Sequence, residues 1–488
     1  MDYKLYFDGR WQGASSSFEV FNPVDRSVFA RVANAGVEEA RQAISAANEA
    51  SPAWAASSID ERAAVLRRVA DLLDERQKDI AKILVAEAGS WIGKAMAESG
   101  NASPKFRTAV EVGRHYPLGA HEVAAAGGKT NIVERRPLGV VAVISPWNFP
   151  LTLSSRGVAT PLMAGNTVVL KPSEETPVSG GLILAELFDE AGAPPGVFNV
   201  ITCARDSVAA VGDELIENPH VKAIDFTGST AVGRHIGAKA GALFKRVCLE
   251  LGGKDALIVL DDADLETAVS AATFASFMHQ GQICMSAERI VVHEAIADEF
   301  TRRFAENVRS LGYGDPTQKD KAIGPIINRK QMENIEAQVQ DARSRGAAIL
   351  TGGESDGPYY QPTVIADVTR DMKVFRDETF GPVAAVIKVA DDDEAVDVAN
   401  DCEYGLSAGV ITNDSERGLA VARRLETGMA HVNDGPLNDN PALPFGGCKS
   451  SGIGRHGGEQ GFDMYTETRW LSVQEEPRPY PPAFAEKR

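Results

Sequence analysis

Hydrophobic and polar positions change period several times along the chain. Residues 3–32 set short apolar pieces between Gly, Asn and Pro, which predicts an antiparallel strand region. From Gly36 the spacing becomes helical: Val37 to Ala47 is Ala-rich with apolar residues three and four apart. Ser58 and Glu61 have capping-box spacing ahead of an amphipathic pattern from Arg62 to Leu84, and further helix runs to about residue 115. Residues 117–137 are poor in large apolar side chains except at their end, and read as an extended arm or hairpin.

From Gly139 the pattern is α/β. Strands are predicted at 140–144, 166–170, 198–201 and 223–226, with helices after Pro150, over 178–191 and from Gly228. A second block starts near Glu250, with strands at 256–260, 383–389 and 408–411 and a helix over 264–278. The tail regains strand character at 470–473 and ends Pro-rich and polar. Strands alternating with helices imply right-handed crossovers and a parallel sheet. Ligands of such sheets sit beyond the C-terminal strand ends, where Asn148, Lys171, Glu174 and Gly228 fall.

Composition narrows the function. The 488 residues suffice for two or three domains, and 44% of them are hydrophobic. A net charge of −18 argues against nucleic acid and anionic membrane surfaces as partners. There is no apolar run long enough to span a membrane, and the charged start does not read as a signal peptide. Five scattered cysteines without C-x-x-C spacing argue against a thiolate metal site or disulfide framework and point to a reducing cytoplasm. The eight histidines show no ligand spacing, so no metal is expected.

The candidate chemistry centres on Phe277–Arg289, where Cys284 follows Gly281 and precedes a polar run. A thiolate is a strong nucleophile that needs a particular environment to form, and many free cysteines are simply core residues. Other segments decide between the two. Pro146-Trp-Asn-Phe-Pro150, Lys171-Pro-Ser-Glu174, Phe226-Thr-Gly-Ser229, Glu250-Leu-Gly-Gly253, Gly281-Gln-Ile-Cys284, Glu378-Thr-Phe-Gly-Pro382 and Pro444-Phe-Gly-Gly447 occur in that order. Together they resemble the aldehyde dehydrogenase superfamily over nearly the whole chain.

The resemblance implies an aldehyde dehydrogenase-like α/β fold. It comprises a Rossmann-like NAD-binding domain (1–116 and 138–249), a catalytic domain (250–449) and a small β bridging element (117–137 and 450–488) that pairs subunits into a homodimer or homotetramer. It makes Cys284 the nucleophile that forms a thiohemiacetal and then a thioester, Asn148 an oxyanion donor, and Glu250 the base for hydrolysis. The cofactor is NAD, with NADP as a weaker alternative, because a carboxylate at Glu174 repels a 2′-phosphate. Ile144, Ser145, Pro146, Trp147, Lys171, Ser173, Gly228, Ser229, Val232, Gly233 and Leu251 complete its contacts, with Glu378 on the nicotinamide ribose and Phe380 beside the ring. On its own, Ser229 reads equally as a helix N-cap. At Thr202-Cys-Ala-Arg205 the chain departs from the Gly-rich loop of many relatives, which leaves the adenine contacts open.

For the substrate, Phe149, Leu153 and Arg156 share one helix face, and Ile283 and Met285 flank the nucleophile. The loop 431–444 is expected to form the outer wall. From Asp434 to Leu443 it has two carboxylates and no Lys or Arg, so an anionic tail would be repelled unless Arg156 compensates. Ser154-Ser-Arg156, Gly281–Ser286 and Val432–Asp434 with Asn438-Asp439 are most similar to the benzaldehyde and vanillin dehydrogenase branch, which implies a neutral aromatic aldehyde. Semialdehyde or aliphatic aldehyde oxidation is the alternative. A thiol esterase independent of NAD is the reading from another class, and it leaves Lys171 and Glu174 without a role.

Overall fold

The computed structural model describes residues 2–123, 129–478, 480–484 and 486. Two large sheets organise it. The first has eight strands in the order Gly452–Ile453, Arg246–Glu250, Val221–Thr227, Val140–Ile144, Thr167–Lys171, Phe198–Val200, Leu5–Phe7, Arg10–Gln12. Its five central strands are parallel, and the edges are closed by antiparallel pairing at Gly452–Ile453 and Leu5–Phe7. Val140, Val141, Ala142 and Val143 are all buried, as a strand covered on both faces requires. The second sheet has seven strands and is parallel except for the edge strand Ala348–Thr351.

Local chemistry explains the helices that carry the site. Ser58 accepts from Glu61 N (3.2 Å) while the Glu61 carboxylate accepts from Ser58 N (2.7 Å), so the capping box forms as its spacing predicts. Ile92–His115 is one long helix despite Pro104, and it packs on the Pro150–Met163 helix. The expected helix over 178–191 begins differently, as a π-helical turn at Val178–Leu182, and becomes α-helical only over Ile183–Glu190. A carboxylate from a distant helix anchors that turn. Glu87 accepts from Val178 N (2.9 Å) and Ser179 N (2.7 Å), and burial pushes its carboxyl up to about 7.

The excursion at 117–137 is a hairpin, Gly119–Val123 with Lys129–Pro137, whose tip at 124–128 lies outside the described residues. Thr466–Gln474 pairs with it along its whole length to give a three-stranded antiparallel sheet. Residues 450–465, expected with that element, sit elsewhere: Gly452–Ile453 edges the eight-stranded sheet, and the Gly458–Tyr465 helix packs on the 92–115 and 150–163 helices. The reason is burial, since Phe462 and Tyr465 join the core of the first sheet. The N-terminal region is antiparallel as expected, except that Asp2–Tyr3 runs parallel to Val28–Ala33.

Among the described residues, no helix is long and apolar enough to cross a membrane. All five cysteines are free thiols.

Candidate active site

The site lies between the two sheets. From the first sheet come the residues just past the C-terminal strand ends: Ser145–Asn148, Pro172–Glu174, Gly228 with Ser229, and Glu250 as the last residue of its strand. From the second come residues that precede strands, Cys284 before Ala287–His293 and Glu378 before Val383–Val389. The structure brings Asn148, Glu250 and Cys284 to one cavity wall.

The segment before Cys284 has an unusual backbone. Asp264 caps the Leu265–Phe277 helix by accepting from Thr267 N (2.8 Å). His279, Gln280 and Gly281 then all take positive φ (50°, 55° and 67°). Side-chain amides hold this costly geometry: Gln280 donates to the Pro325 carbonyl (3.0 Å), and Gln282 accepts from Ile327 N (3.1 Å). A Cβ at Gly281 would lie 2.1 Å from the Gly381 carbonyl oxygen, and one at Gly253 would lie 2.2 Å from that of Cys284. Glycine is therefore what lets the 250–253 strand end approach the nucleophile's backbone.

Glu250 is 1% exposed and its Oε2 accepts from Arg156 Nη2 at 3.2 Å. Burial raises its carboxyl above the ordinary value, against the opposing charge of Arg156. The Cys284 thiol is pushed well up, first by burial and then by the negative charge of Glu250. Both effects disfavour the thiolate, whereas the nucleophile reading alone would lead one to expect an environment that already favours it.

Asn148 is held from both sides. Its Nδ2 donates to the Gln282 carbonyl (3.0 Å), and its own carbonyl accepts from Lys94 Nζ (2.7 Å). Lys94 is paired with Glu98 one turn along the 92–115 helix, both fully buried, and stands 4.0 Å from the centre of the Phe149 ring. Glu98 in turn accepts from Leu151 N (3.0 Å), at the N-terminus of the 150–163 helix. Sequence reading missed Lys94 and Glu98. An i,i+4 Lys/Glu pair looks like any solvated helix pair until its burial is known.

Two cavities meet at Cys284 and share Asn148, Leu153 and Cys284 in their walls. The first, of about 190 Å³, is lined by Pro146, Trp147, Gly228, Ser229, Leu251, Glu378 and Phe380 from the expected cofactor set. Trp147 and Phe380 make an edge-to-face pair with centroids 5.4 Å apart. Glu378 accepts from Gly253 N (3.0 Å), and burial together with the neighbouring Glu288 carboxylate pushes its carboxyl up to about 8. The loop it heads is clamped by Gln331, which donates to the carbonyls of Thr379 (2.8 Å) and Phe380 (2.9 Å), and by Glu288, which accepts from Phe380 N (2.7 Å). Ser229 stands at the N-terminus of the Thr230–Ala242 helix without capping it, so its hydroxyl is not spent on the helix.

Other expected cofactor residues lie outside this cavity. Lys171 and Ser173 are buried nearby, with Lys171 Nζ donating to the Pro172 carbonyl (3.2 Å). Ile144 ends its strand, Gly233 packs on Leu251, and Val232 is 46% exposed on the outer side of its helix. Glu174 is paired with Arg205 (3.2 Å).

The second cavity, of about 290 Å³, is lined by Phe149, Leu153, Arg156, Ile283 and Met285 as expected, and by Phe274, Met278, Leu437 and Phe445 besides. The loop carrying Leu437, Asn438 and Asp439 forms part of its wall. The charge reading of that wall needs correcting. Asp439 is paired with Lys105 (2.8 Å), a cation supplied by the 92–115 helix, and Arg156 is committed to Glu250. Among the described residues lining this cavity, Lys105 and Arg156 are the only cations, and both are paired.

A doubly wound parallel sheet faces a second α/β sheet, with a cysteine, a buried glutamate and an asparagine amide at their junction, an arrangement suited to covalent chemistry at a carbonyl carbon. The chain belongs to the aldehyde dehydrogenase family, whose model matches residues 11–471. Its curated relatives include the benzaldehyde dehydrogenase [NAD(+)] of Pseudomonas putida, 42% identical over 98% of both chains. The vanillin dehydrogenase of Amycolatopsis sp. is 43% identical over 97% of both. Among solved structures, a salicylaldehyde dehydrogenase from Pseudomonas putida G7 complexed with salicylaldehyde superposes with a TM-score of 0.95 at 38% identity, covering 99% of this chain and all of its own.

Proposed function

We propose that this enzyme oxidises a neutral aromatic aldehyde to its carboxylic acid with NAD, using Cys284 as nucleophile, Asn148 as oxyanion donor and Glu250 as the hydrolytic base. The observation that carries the substrate class is the second cavity. It is walled largely by aromatic and aliphatic side chains and lies near the low end of the roughly 300–1,000 Å³ usual for small-molecule sites; its two cations, Lys105 and Arg156, are each paired with a carboxylate, with Arg156 Nε and Nη1 left without a hydrogen-bond partner. The named relatives act on benzaldehyde and vanillin, which agrees with it.

The chemistry follows from the residues. Cys284 Sγ, once deprotonated, adds to the aldehyde carbon and leaves an oxyanion. An Asn148 amide has two N–H groups; one is occupied by the Gln282 carbonyl and the second is free to donate to that oxyanion. Such a donor is worth about 3–4 kcal/mol of barrier. NAD, when bound, supplies the hydride acceptor that converts the thiohemiacetal to a thioester. Ser229 with the helix N-terminus behind it suits a pyrophosphate, and Glu378 suits a ribose. Glu250 then takes a proton from the water that hydrolyses the thioester, and a carboxyl raised by burial is suited to that task.

NAD is preferred because Glu174 is a carboxylate, but its pairing with Arg205 softens the exclusion of a 2′-phosphate. A second copy of the chain is the natural partner for the 466–474 edge strand, where Trp470 is 69% exposed. Elution as a monomer in light-scattering chromatography would remove that expectation. Free thiols suit a reducing cytoplasm.

The test follows NADH with benzaldehyde, a hydroxybenzaldehyde, a short aliphatic aldehyde and succinate semialdehyde, each with NAD and NADP. Highest kcat/KM for the aromatic members supports the reading. A lead for the semialdehyde overturns the substrate class, and silence with every aldehyde overturns the enzyme assignment.

A further inference from the structure

Arg156 does something that lining a cavity does not require. The residue is 6% exposed, and its guanidinium is fixed on two sides. One face lies 4.2 Å from the centre of the Phe445 ring, and Nη2 donates to Glu250 Oε2 at 3.2 Å and to Thr227 Oγ1 at 3.5 Å. Stacking and pairing together leave the planar group one position. The pair with Glu250 is single-toothed: Oε2 is anchored, while Oε1 has no nitrogen or oxygen partner although it is buried. One oxygen of the carboxylate is thus held by the guanidinium, and the carboxylate lies within hydrogen-bonding reach of the Cys284 thiol.

The other ionisable groups around Glu250 cannot replace this contact. His456 lies nearby but is tied to Asp225 at 2.8 Å. Glu378 is anionic or neutral, never cationic, and faces the first cavity, where it accepts from Gly253 N. Cys284 is the group Glu250 must serve. Lys105 is spent on Asp439.

Resting on the function proposed above, we propose that Arg156 is the positioning residue for Glu250, and that it controls hydrolysis of the acyl-enzyme rather than removal of hydride. In that step the water oxygen bonds to the acyl carbon and its proton passes to Glu250 Oε1. The C–S bond breaks with its electron pair to Cys284 Sγ, releasing the acid. Without the guanidinium, a carboxyl this deeply buried has no partner for its charge and takes up a proton instead. The carboxyl then loses basicity at neutral pH, and although the Cys284 thiolate also loses the nearby positive charge, hydrolysis of the acyl-enzyme is the step that suffers most.

Arg156→Met and Arg156→Lys separate these roles, with thermal melting checked for each. For Arg156→Met the expected result is one NADH per active site in the first turnover, followed by steady-state turnover reduced several-fold at pH 7, as a base held partly protonated requires. Turnover should recover as the pH is raised, with the rising limb of the kcat profile at higher pH than in the parent enzyme. Arg156→Lys keeps the charge but not the fork or the stack, and should recover part of the loss. A wild-type kcat profile in Arg156→Met, or loss of the first-turnover burst in both well-folded variants, overturns the inference. Absence of NADH from the parent enzyme with every aldehyde instead overturns the function on which it rests.

Discussion

The side-chain amide of Asn148 and the backbone carbonyl of Gln282 are joined by a 3.0 Å hydrogen bond that ties the 146–150 turn to the segment two residues before the nucleophile. The contact fixes the amide's plane before any substrate arrives, so its second N–H costs nothing to aim. Asn148→Ala should lower kcat/KM by about 10²–10³ while changing the melting temperature little, as loss of one preorganised donor does. Steady-state kinetics with benzaldehyde checks it, and a loss below fivefold would remove Asn148 from the oxyanion site.

Glu250→Gln keeps the shape of the base and removes its basicity. One equivalent of NADH per active site should form rapidly, after which turnover stalls. Cys284→Ala should form none while still binding NAD. Stopped-flow absorbance at 340 nm distinguishes the two, and full turnover in the Glu250 variant would refute its role.

Arg205 sits 3.2 Å from Glu174, the carboxylate proposed to discriminate against a 2′-phosphate, and 2.9 Å from Glu175. Arg205→Ala should raise the KM for NADP about three- to fivefold and leave that for NAD nearly unchanged, since an exposed charge contact is worth roughly 1 kcal/mol or less. Cofactor titrations at fixed aldehyde give the answer.

His456 is buried against Asp225, which also accepts from the Tyr465 hydroxyl, with the Cys248 sulfur beside them. Burial opposes its charge, but Asp225 outweighs burial and pushes the imidazole up from an ordinary 6.5 to about 10. The folded protein thus keeps a proton that the unfolded chain releases near 6.5. The stability so gained is fully present below pH 6.5 and lost as the pH rises towards 10. The melting temperature of the parent enzyme should fall across that window, and the fall should be shallower in His456→Gln. Equal slopes by differential scanning calorimetry would show that the pair contributes no linkage.

Short contiguous motifs made much of the site legible in the sequence. Asn148 between two prolines, Glu250 before two glycines and Cys284 after a glycine each mark a place where the backbone must turn or approach closely, and those demands are local. The strands at 140–144, 383–389 and 408–411 were legible because buried strands are uninterrupted apolar runs. What escaped depends on pairings across long sequence separations. Lys94 with Asn148, Lys105 with Asp439 and Arg156 with Glu250 are ion pairs or hydrogen bonds whose partners lie on different elements. Arg156 was placed correctly on the cavity wall, but its commitment to Glu250 was invisible in helical spacing. The π-helical turn at 178–182 escaped for the same reason, since Glu87, the carboxylate that anchors it, lies 91 residues before Val178.

The two cavities that touch only at Asn148, Leu153 and Cys284 have a consequence for inhibition. A flat, uncharged molecule that fills the chamber walled by Phe149, Met285 and Phe445 competes with the aldehyde but leaves the chamber of Trp147, Glu378 and Phe380 open. Such a molecule should therefore be non-competitive with NAD. One long enough to pass Cys284 would block both chambers at once, and selectivity among related enzymes would reside in the part that remains on the aromatic side.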